Sequence, residues 1–344
     1  MEDKKENNKV KVGFASINRY VVDYIPENVS KEISNKDFSI WGNDNRYPEF
    51  LAGIVEKCST LNSIINGITD YVMGDSINVT DEIRNEIELA VKDYVTYGVC
   101  YFNVLYNSFG KLANIKTLDA KNVRSNKDNS VFFYSEDWNK TYGRVKCISL
   151  PKYQEGVVTK SSVLMVKNNS RETYPTPLWN TAIESCLTDV EINHFHFNEV
   201  KNGFNASTII NFNNGVPTDE EKDEIEKQIN KKFCGAENAS RFLLAFNSNK
   251  DNAVTIEKLN TDDYDERYNS LAKKVRQDIF TTFRANPNLF GIATENLGFS
   301  SEEYESSFKL FNKTMIQPIQ KKMVGALKPL MDIQIKPFTL NNNE

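Results

Sequence analysis

At 344 residues, with 40% hydrophobic, 11% aromatic and 26% charged positions, the chain can bury a large core and is neither disordered nor fibrous. Its net charge of −5 argues against binding nucleic acid through a broad basic face. No apolar run reaches the roughly 18 residues of a membrane span, no secretion signal precedes the body, and five scattered cysteines without a CxxC pair favour a reducing cytoplasm.

Residues 1–10 are polar and charged and read as a flexible tail. Residues 48–74 read as one helix, with Pro48 in its first turn and Leu51, Ile54, Val55, Cys58, Leu61, Ile65 and Ile68 at helical spacing. Gly74 stops it. A second helix is expected at about 81–97, with Asp81, Glu82 and Glu86 near its N-terminal end, where the helix dipole favours acids. The period then changes. Residues 99–106 and 112–118 form a hairpin about the Asn107-Ser108-Phe109-Gly110 turn, and further strands are expected at 131–134 and 145–150, the latter stopped by Pro151. This half is α+β, two helices followed by an antiparallel sheet of about four strands.

Pro175 and Pro177 open a long helix whose stripe, Ile183, Leu187, Val190, His194 and Phe197, suits packing against another helix. Gly203 ends it. An insert of about 55 residues follows, with a strand to Phe212, a turn at Asn213-Asn214-Gly215, a capping box at Thr218–Glu221 opening a short helix, and strands at 241–246 and 253–258. A return helix, about Asp262 to Arg284, carries Tyr268, Leu271, Val275, Ile279 and Phe283 in register and would span roughly 35 Å. A Pro/Gly loop from Asn286 to Phe299 separates it from a last helix, broken or kinked at Pro318. A strand over 332–340 and a polar tail finish the chain. Two long helices with a small module at their far end build a stalk rather than a pocket.

The residues give little support to catalysis. No P-loop, GxGxxG, GxSxG or HExxH pattern occurs, and only two histidines are present. His194 and His196 stand two apart on a helix and do not share a face, so a structural role is preferred over a metal site. Asp262, Asp263, Asp265 and Glu266 could hold Mg²⁺, but carboxylates at a helix start are commonplace. Trp41, Trp138 and Trp179 read as packing residues rather than base-stacking platforms. No catalytic residue, cofactor or metal ligand is assigned.

In order along the chain, the early helix ending Tyr71-Val72-Met73-Gly74, then Tyr97-Gly98-Val99-Cys100-Tyr101, Leu118-Asp119-Ala120-Lys121-Asn122-Val123-Arg124, Pro175-Thr176-Pro177-Leu178, Phe212-Asn213-Asn214-Gly215, Ala285–Gly291 and the helix with Pro318 resemble the portal proteins of tailed bacteriophages. The resemblance implies a portal-like α+β fold. The wing would be 1–174 and 300–344, with stem helices at 175–203 and 259–284, a clip at 204–258 and a tunnel loop at 285–299. The helical crown of many members would be absent or vestigial.

The resemblance further implies a twelve-subunit ring at one capsid vertex of the virion, assembled in the host cytoplasm, through which double-stranded DNA is packaged and ejected. Its partners would be the major capsid protein, the terminase large subunit and a head–tail adaptor, without a membrane. Asn288, Thr294, Glu295 and Asn296 of the tunnel loop and Lys273, Lys274, Arg276 and Arg284 of the second stem helix would face DNA. Asn213, Asn214, Glu220, Lys231 and Lys232 of the clip would meet partners. Twelve copies would carry a charge of about −60, suited to a conduit that slides DNA rather than holding it. The alternatives are another ring-forming connector, or a nucleotide-processing enzyme of the packaging machine, which would need a Walker-type loop that is missing.

Overall fold

In a computed structural model, the described residues are 26–28, 30–32, 37–138, 147–201, 208–212, 218, 220–221, 223–225, 227, 242–246, 255–258, 262–292 and 301–339. They divide into a larger unit, Tyr24–Val190 with Lys273–Glu344, and a smaller one containing Glu191–Ala272.

The larger unit begins with β1 (Ser30–Glu32) paired antiparallel to β2 (Ser39–Trp41). The helix expected over 48–74 is two, α1 (Tyr47–Lys57) and α2 (Ser59–Met73). Cys58 between them is extended, with φ −86° and ψ 101°, and caps both helices. Its N–H bonds Ile54 O at 2.8 Å, its carbonyl accepts from Asn62 N at 3.0 Å, and its thiol donates to Asp189 Oδ2 at 3.3 Å. Asn62 Nδ2 also reaches Val55 O at 3.1 Å, so the carbonyls freed at the break find partners. All seven apolar residues that suggested one helix are buried, because the break leaves their common face intact.

After β3 (Ser76–Ile77), α3 (Asp81–Tyr97) lies where the periodicity placed it, and Gly98 caps it at φ 79°. β4 (Val99–Tyr106) and β5 (Leu112–Leu118) form the expected hairpin. The rest departs from a single four-stranded sheet. β6 (Val123–Ser125), β7 (Val131–Tyr134) and β8 (Ile148–Pro151) make one three-stranded antiparallel sheet, and β9 (Ser161–Lys167) joins the other side of β4, giving the order β5-β4-β9. Pro151 closes β8 from within, on an edge strand, where a missing N–H is tolerated.

Between these sheets and the first helices lies a buried cation. Arg124 is fully enclosed, with the Trp138 ring 5.0 Å and the Trp41 ring 5.9 Å from its guanidinium carbon. Nε donates to Asn45 Oδ1 at 2.6 Å, Nη2 to Asn45 O at 2.7 Å, and Nη1 to the carbonyls of Lys121 and Val123 at 2.7 and 2.9 Å. Asn45 stands in the left-handed region, φ 64°, and its Oδ1 also accepts from Trp41 N. Tyr174 stacks on Trp41 at 4.5 Å and hydrogen-bonds Ser39 O, while Trp179 Nε1 donates to Thr96 O at 3.1 Å. The three tryptophans are therefore packing residues, as their sequence context implied.

A half-buried acid lies near the end of α3. Asp93 accepts from Ala120 N at 2.9 Å, and burial pushes its carboxyl up to about 8 against that bond. A raised carboxyl pKa means that the native state keeps a proton the unfolded chain has released. Its stabilising contribution is complete below about pH 4 and falls as pH rises toward 8. Asp93→Asn keeps an acceptor for Ala120 and removes the titration. Its melting temperature should match or slightly exceed wild type at pH 5 and exceed it by several degrees at pH 8.5, where each kcal/mol is worth about 2–4 °C. Parallel melting curves across that range would refute the raised pKa of Asp93.

The helix α4 (Ile183–Lys201) begins in the larger unit and continues into the smaller one. Its expected stripe is only partly buried, for Ile183 is enclosed whereas His194 and Phe197 are exposed. In the larger unit the buried line instead runs Ala182, Ile183, Cys186, Asp189, following the Asp189 bond to Cys58. In the smaller unit, β10 (Thr208–Phe212) is the centre of a sheet, parallel to β11 (Phe242–Phe246) and antiparallel to β12 (Thr255–Lys258). The parallel pair requires a crossover. Helical residues 220, 221, 223–225 and 227 lie in that connection, opened by the expected capping box with Thr218 N to Glu221 Oε2 at 2.9 Å and Glu221 N to Thr218 Oγ1 at 3.4 Å. Phe195 stacks on Tyr268 with ring centroids 4.4 Å apart.

The return helix is α5 (Asp262–Thr282), followed in the larger unit by α6 (Ser301–Phe311), a π-helical turn (Asn312–Ile316) and α7 (Gln317–Leu327). The regular α-helix is interrupted next to Pro318, which occupies the first turn of α7 directly after the wider π turn. The strand expected over 332–340 is only β13 (Ile335–Lys336), paired with β3 and ended by Pro337, which has no N–H to extend the ladder. Gly74, at φ 66°, lets β13 approach closely, since an added Cβ would fall 2.1 Å from Lys336 O.

Candidate functional site

The part of the molecule best suited to a task is the platform from which residues 293–300 depart. It starts where α5 ends. Arg284 N bonds Thr281 O at 2.9 Å and Ala285 N bonds Phe280 O at 3.0 Å, the paired closure of a Schellman motif, with Arg284 at φ 53° where glycine is usual. A left-handed conformation costs a residue with a side chain about 1–2 kcal/mol. Arg284, expected to face DNA, is thus held on the cap with its side chain exposed.

Asn286 then organises the next turn. Its Oδ1 accepts from Asn288 N at 3.1 Å and its Nδ2 donates to Ser307 Oγ on α6 at 3.0 Å. Pro287–Phe290 is one 3-10 turn, stopped by Gly291 at φ 76°. Two residues of α2 seat this turn. Tyr71 donates its hydroxyl to Leu289 O at 3.0 Å, and Gly67 leaves the notch that the Phe290 ring fills, for a Cβ there would lie 2.7 Å from Phe290 Cε1. Phe290 also meets Phe280 at 5.5 Å and Phe311 at 5.9 Å, edge to face. Tyr71 contacts Phe308, Phe311 and Phe338 at 5.3–5.9 Å, and burial raises its phenol pKa. Farther along, Gln320 Nε2 donates to Val72 O at 2.9 Å, tying α7 to the last turn of α2.

The chain therefore enters residues 293–300 from a locked turn and leaves them into α6, which is anchored by enclosed Phe308 and Phe311. This arrangement fixes the chain on either side of residues 293–300. Among the described residues no group of three or more His, Cys, Asp or Glu could hold a metal ion, and no helix is long and apolar enough to cross a membrane.

Besides Arg284, the expected site residues fall into four sets. Lys273, Lys274 and Arg276 are exposed on α5, whose Val275, Ile279 and Phe280 are buried, and Asp278 is exposed beside them. Asn288 is half-buried, with Oδ1 enclosed and unpartnered. Glu220 is exposed in the smaller unit. Thr294, Glu295, Asn296, Asn213, Asn214, Lys231 and Lys232 lie outside the described residues. Sequence reasoning missed Ser307 and the contacts that bring Gly67 and Tyr71 to the 287–290 turn. Gly67 inside a helical pattern was the one visible trace.

No protein-family model matches the chain, and neither does any curated protein. Solved structures do. The neck of an empty gene transfer agent (GTA) particle, computed with C6 symmetry, aligns with TM-score 0.56 and 13% identity over 86% of this chain and 85% of that one. The neck of the native GTA particle, computed with C12 symmetry, gives 0.55 and 11% over 84% of each. An HK97 family phage portal protein from Corynebacterium diphtheriae gives 0.52 and 9% over 83% of this chain and 95% of that one. At such identities the likeness speaks for the fold. The chain is built on the mixed helix-and-sheet fold of a phage portal protein.

Proposed function

We propose that this chain is the portal subunit of a phage or phage-like particle, a structural virion protein at the head–tail junction. Copies form a ring, twelve in number, at one capsid vertex, and double-stranded DNA passes through its centre during packaging and ejection. The observation that carries this reading is the fold likeness over more than four fifths of the chain, to a portal protein and to particle necks, one of them computed with twelve-fold symmetry.

Three further features agree with it. A small sheet module interrupts two long helices, which would serve as clip and stem. Residues 293–300 spring from a rigid platform, as a loop aimed at a passing duplex requires. The net charge of −5 per copy limits phosphate binding, so DNA would slide rather than stick. Lys273, Lys274 and Arg276 would guide DNA, and the module at 204–258 would meet terminase and, afterwards, the head–tail adaptor. The wing would meet the capsid protein.

Negative-stain microscopy of the purified chain is expected to show rings of about twelve-fold symmetry with a central channel, and a stable monomer with ATPase activity would overturn the proposal. Alanine replacement across 286–299 should leave particles unfilled with DNA. Filled particles would remove the loop from the mechanism while leaving the ring.

A further inference from the structure

Phe109 is 86% exposed at the tip of the β4–β5 hairpin, where it buries nothing within its own chain. The tip is not loose. Asn107 Oδ1 accepts from both Phe109 N and Lys111 N at 3.0 Å, Gly110 N bonds Asn107 O at 3.0 Å, and Gly110 takes φ 72°. A second turn abuts it. An added Cβ on Gly110 would lie 3.7 Å from Val158 Cγ1, and Val157 and Val158 are themselves 48% and 57% exposed. Two locked turns thus hold three apolar side chains outward, preorganised at little further cost in entropy. Lys111 and Lys160 flank them. The Lys111 carbonyl accepts from Asn107 N and the Lys160 carbonyl from Tyr106 N, and both side chains are exposed. Glu155 is an exposed acid in the same region.

On the same unit, α3 carries an outer face of the opposite sign. Asp81, Glu82, Glu88 and Leu89 fall within about a third of the helix circumference and are all exposed, Leu89 at 55%, with the cation Lys92 exposed among them and Lys116 of β5 close enough to feel Glu82. The same chain therefore presents exposed apolar side chains beside two lysines at one hairpin tip and, on α3, an exposed leucine among acids. Two unlike, complementary patches make a head-to-tail contact, the kind that closes into a ring when the rotation per copy divides a full turn. An apolar centre with a charged rim is also the usual anatomy of such contacts.

We propose that the Phe109 knob of one copy seats on the outer face of α3 of the next copy, with Lys111 and Lys160 set against Glu82 and Glu88. This rests on the proposed ring and names the surfaces that join neighbouring subunits.

The test uses the full chain, with ring formation followed by size-exclusion chromatography and negative stain over a concentration series. Phe109→Ser, the pair Lys111→Glu/Lys160→Glu and the pair Glu82→Lys/Glu88→Lys should each raise the concentration needed for rings at least tenfold. Melting temperatures should stay within about 2 °C of wild type for Phe109→Ser and the lysine pair, and within about 4 °C for Glu82→Lys/Glu88→Lys, which removes an acid from the first turn of α3. Combining the two charge-reversed pairs in one chain should bring assembly back toward the wild-type concentration. Wild-type rings together with unimpaired variants, or impaired pairs that the fourfold variant fails to restore, would overturn the contact while leaving the ring standing. If the wild-type chain forms no ring at any concentration, the ring reading falls and the contact with it.

Discussion

Arg124→Met is expected to destabilise the larger unit by about 3–5 kcal/mol, lowering its melting temperature by roughly 10 °C. The thioether fills much of the space between Trp41 and Trp138 but donates nothing. Three buried carbonyls, of Asn45, Lys121 and Val123, and the Asn45 side chain lose their shared donor. A stranded buried acceptor costs about 1–3 kcal/mol, more than the methionine recovers by packing. Asn45 would also lose the bonds that hold it at φ 64°, and Trp41 N its fixed acceptor. Arg124→Lys should be nearly as damaging, since one ammonium cannot reproduce a fork that reaches four oxygens. Differential scanning calorimetry decides the matter, and a fall of less than about 2 °C for the methionine variant would show that the guanidinium is not what joins these segments.

Gly67→Val should release residues 293–300 from their platform. Two effects compete at this position. A side chain in place of glycine favours the helix by up to about 1 kcal/mol. Against it stands a Cβ 2.7 Å from a Phe290 ring that is itself confined by Phe280, Phe311 and Tyr71, and overpacking of this kind costs about 1–3 kcal/mol. Valine adds further bulk, so the steric loss wins. The expected readout is cleavage after Glu295 by a Glu-specific protease, at least fivefold faster than in wild type. Gly53→Ala is the control, for nothing lies within 4 Å of a Cβ there, and it should raise stability by a few tenths to 1 kcal/mol without changing cleavage. An unchanged cleavage rate in Gly67→Val would mean that Phe290 does not anchor the loop.

Much of the local architecture was legible in the residues. The limits of α3 and the β4–β5 hairpin follow from apolar period and turn chemistry, both of which act within a few residues. The capping box at Thr218 and Glu221 is equally local. The features that escaped depend on partners far away in sequence. β9, Ser-Ser-Val-Leu-Met-Val-Lys, is a strand because β4 lies beside it, some sixty residues earlier. Arg124 looked like any surface cation until two tryptophans enclosed it.

The loop region divides in the same way. Pro287 and Gly291 marked this stretch as a loop, and its described part is a seated 3-10 turn. Its anchors on α2 lie 218 residues back, joined through the Tyr71 bond to Leu289, and no periodicity reports a contact of that span. The cap at Arg284 was missed for another reason. That position normally asks for glycine, and this chain tolerates an arginine there because two backbone bonds hold the turn closed.

The π turn at Asn312–Ile316 has a bearing on chain length. Such a turn accommodates one residue more than an α-helix over the same rise, without rotating the downstream helix. Phe308 and Phe311 before it, and Met323 and Leu327 after it, all remain buried. The last helix therefore carries a spare residue at this point. A chain shorter by one here would keep both buried faces, whereas the same loss a turn earlier would swing one of them by about 100°. Insertions and deletions in this stretch are thus not equivalent, and the helix has a single place where its residue count can change without changing the surfaces it packs against.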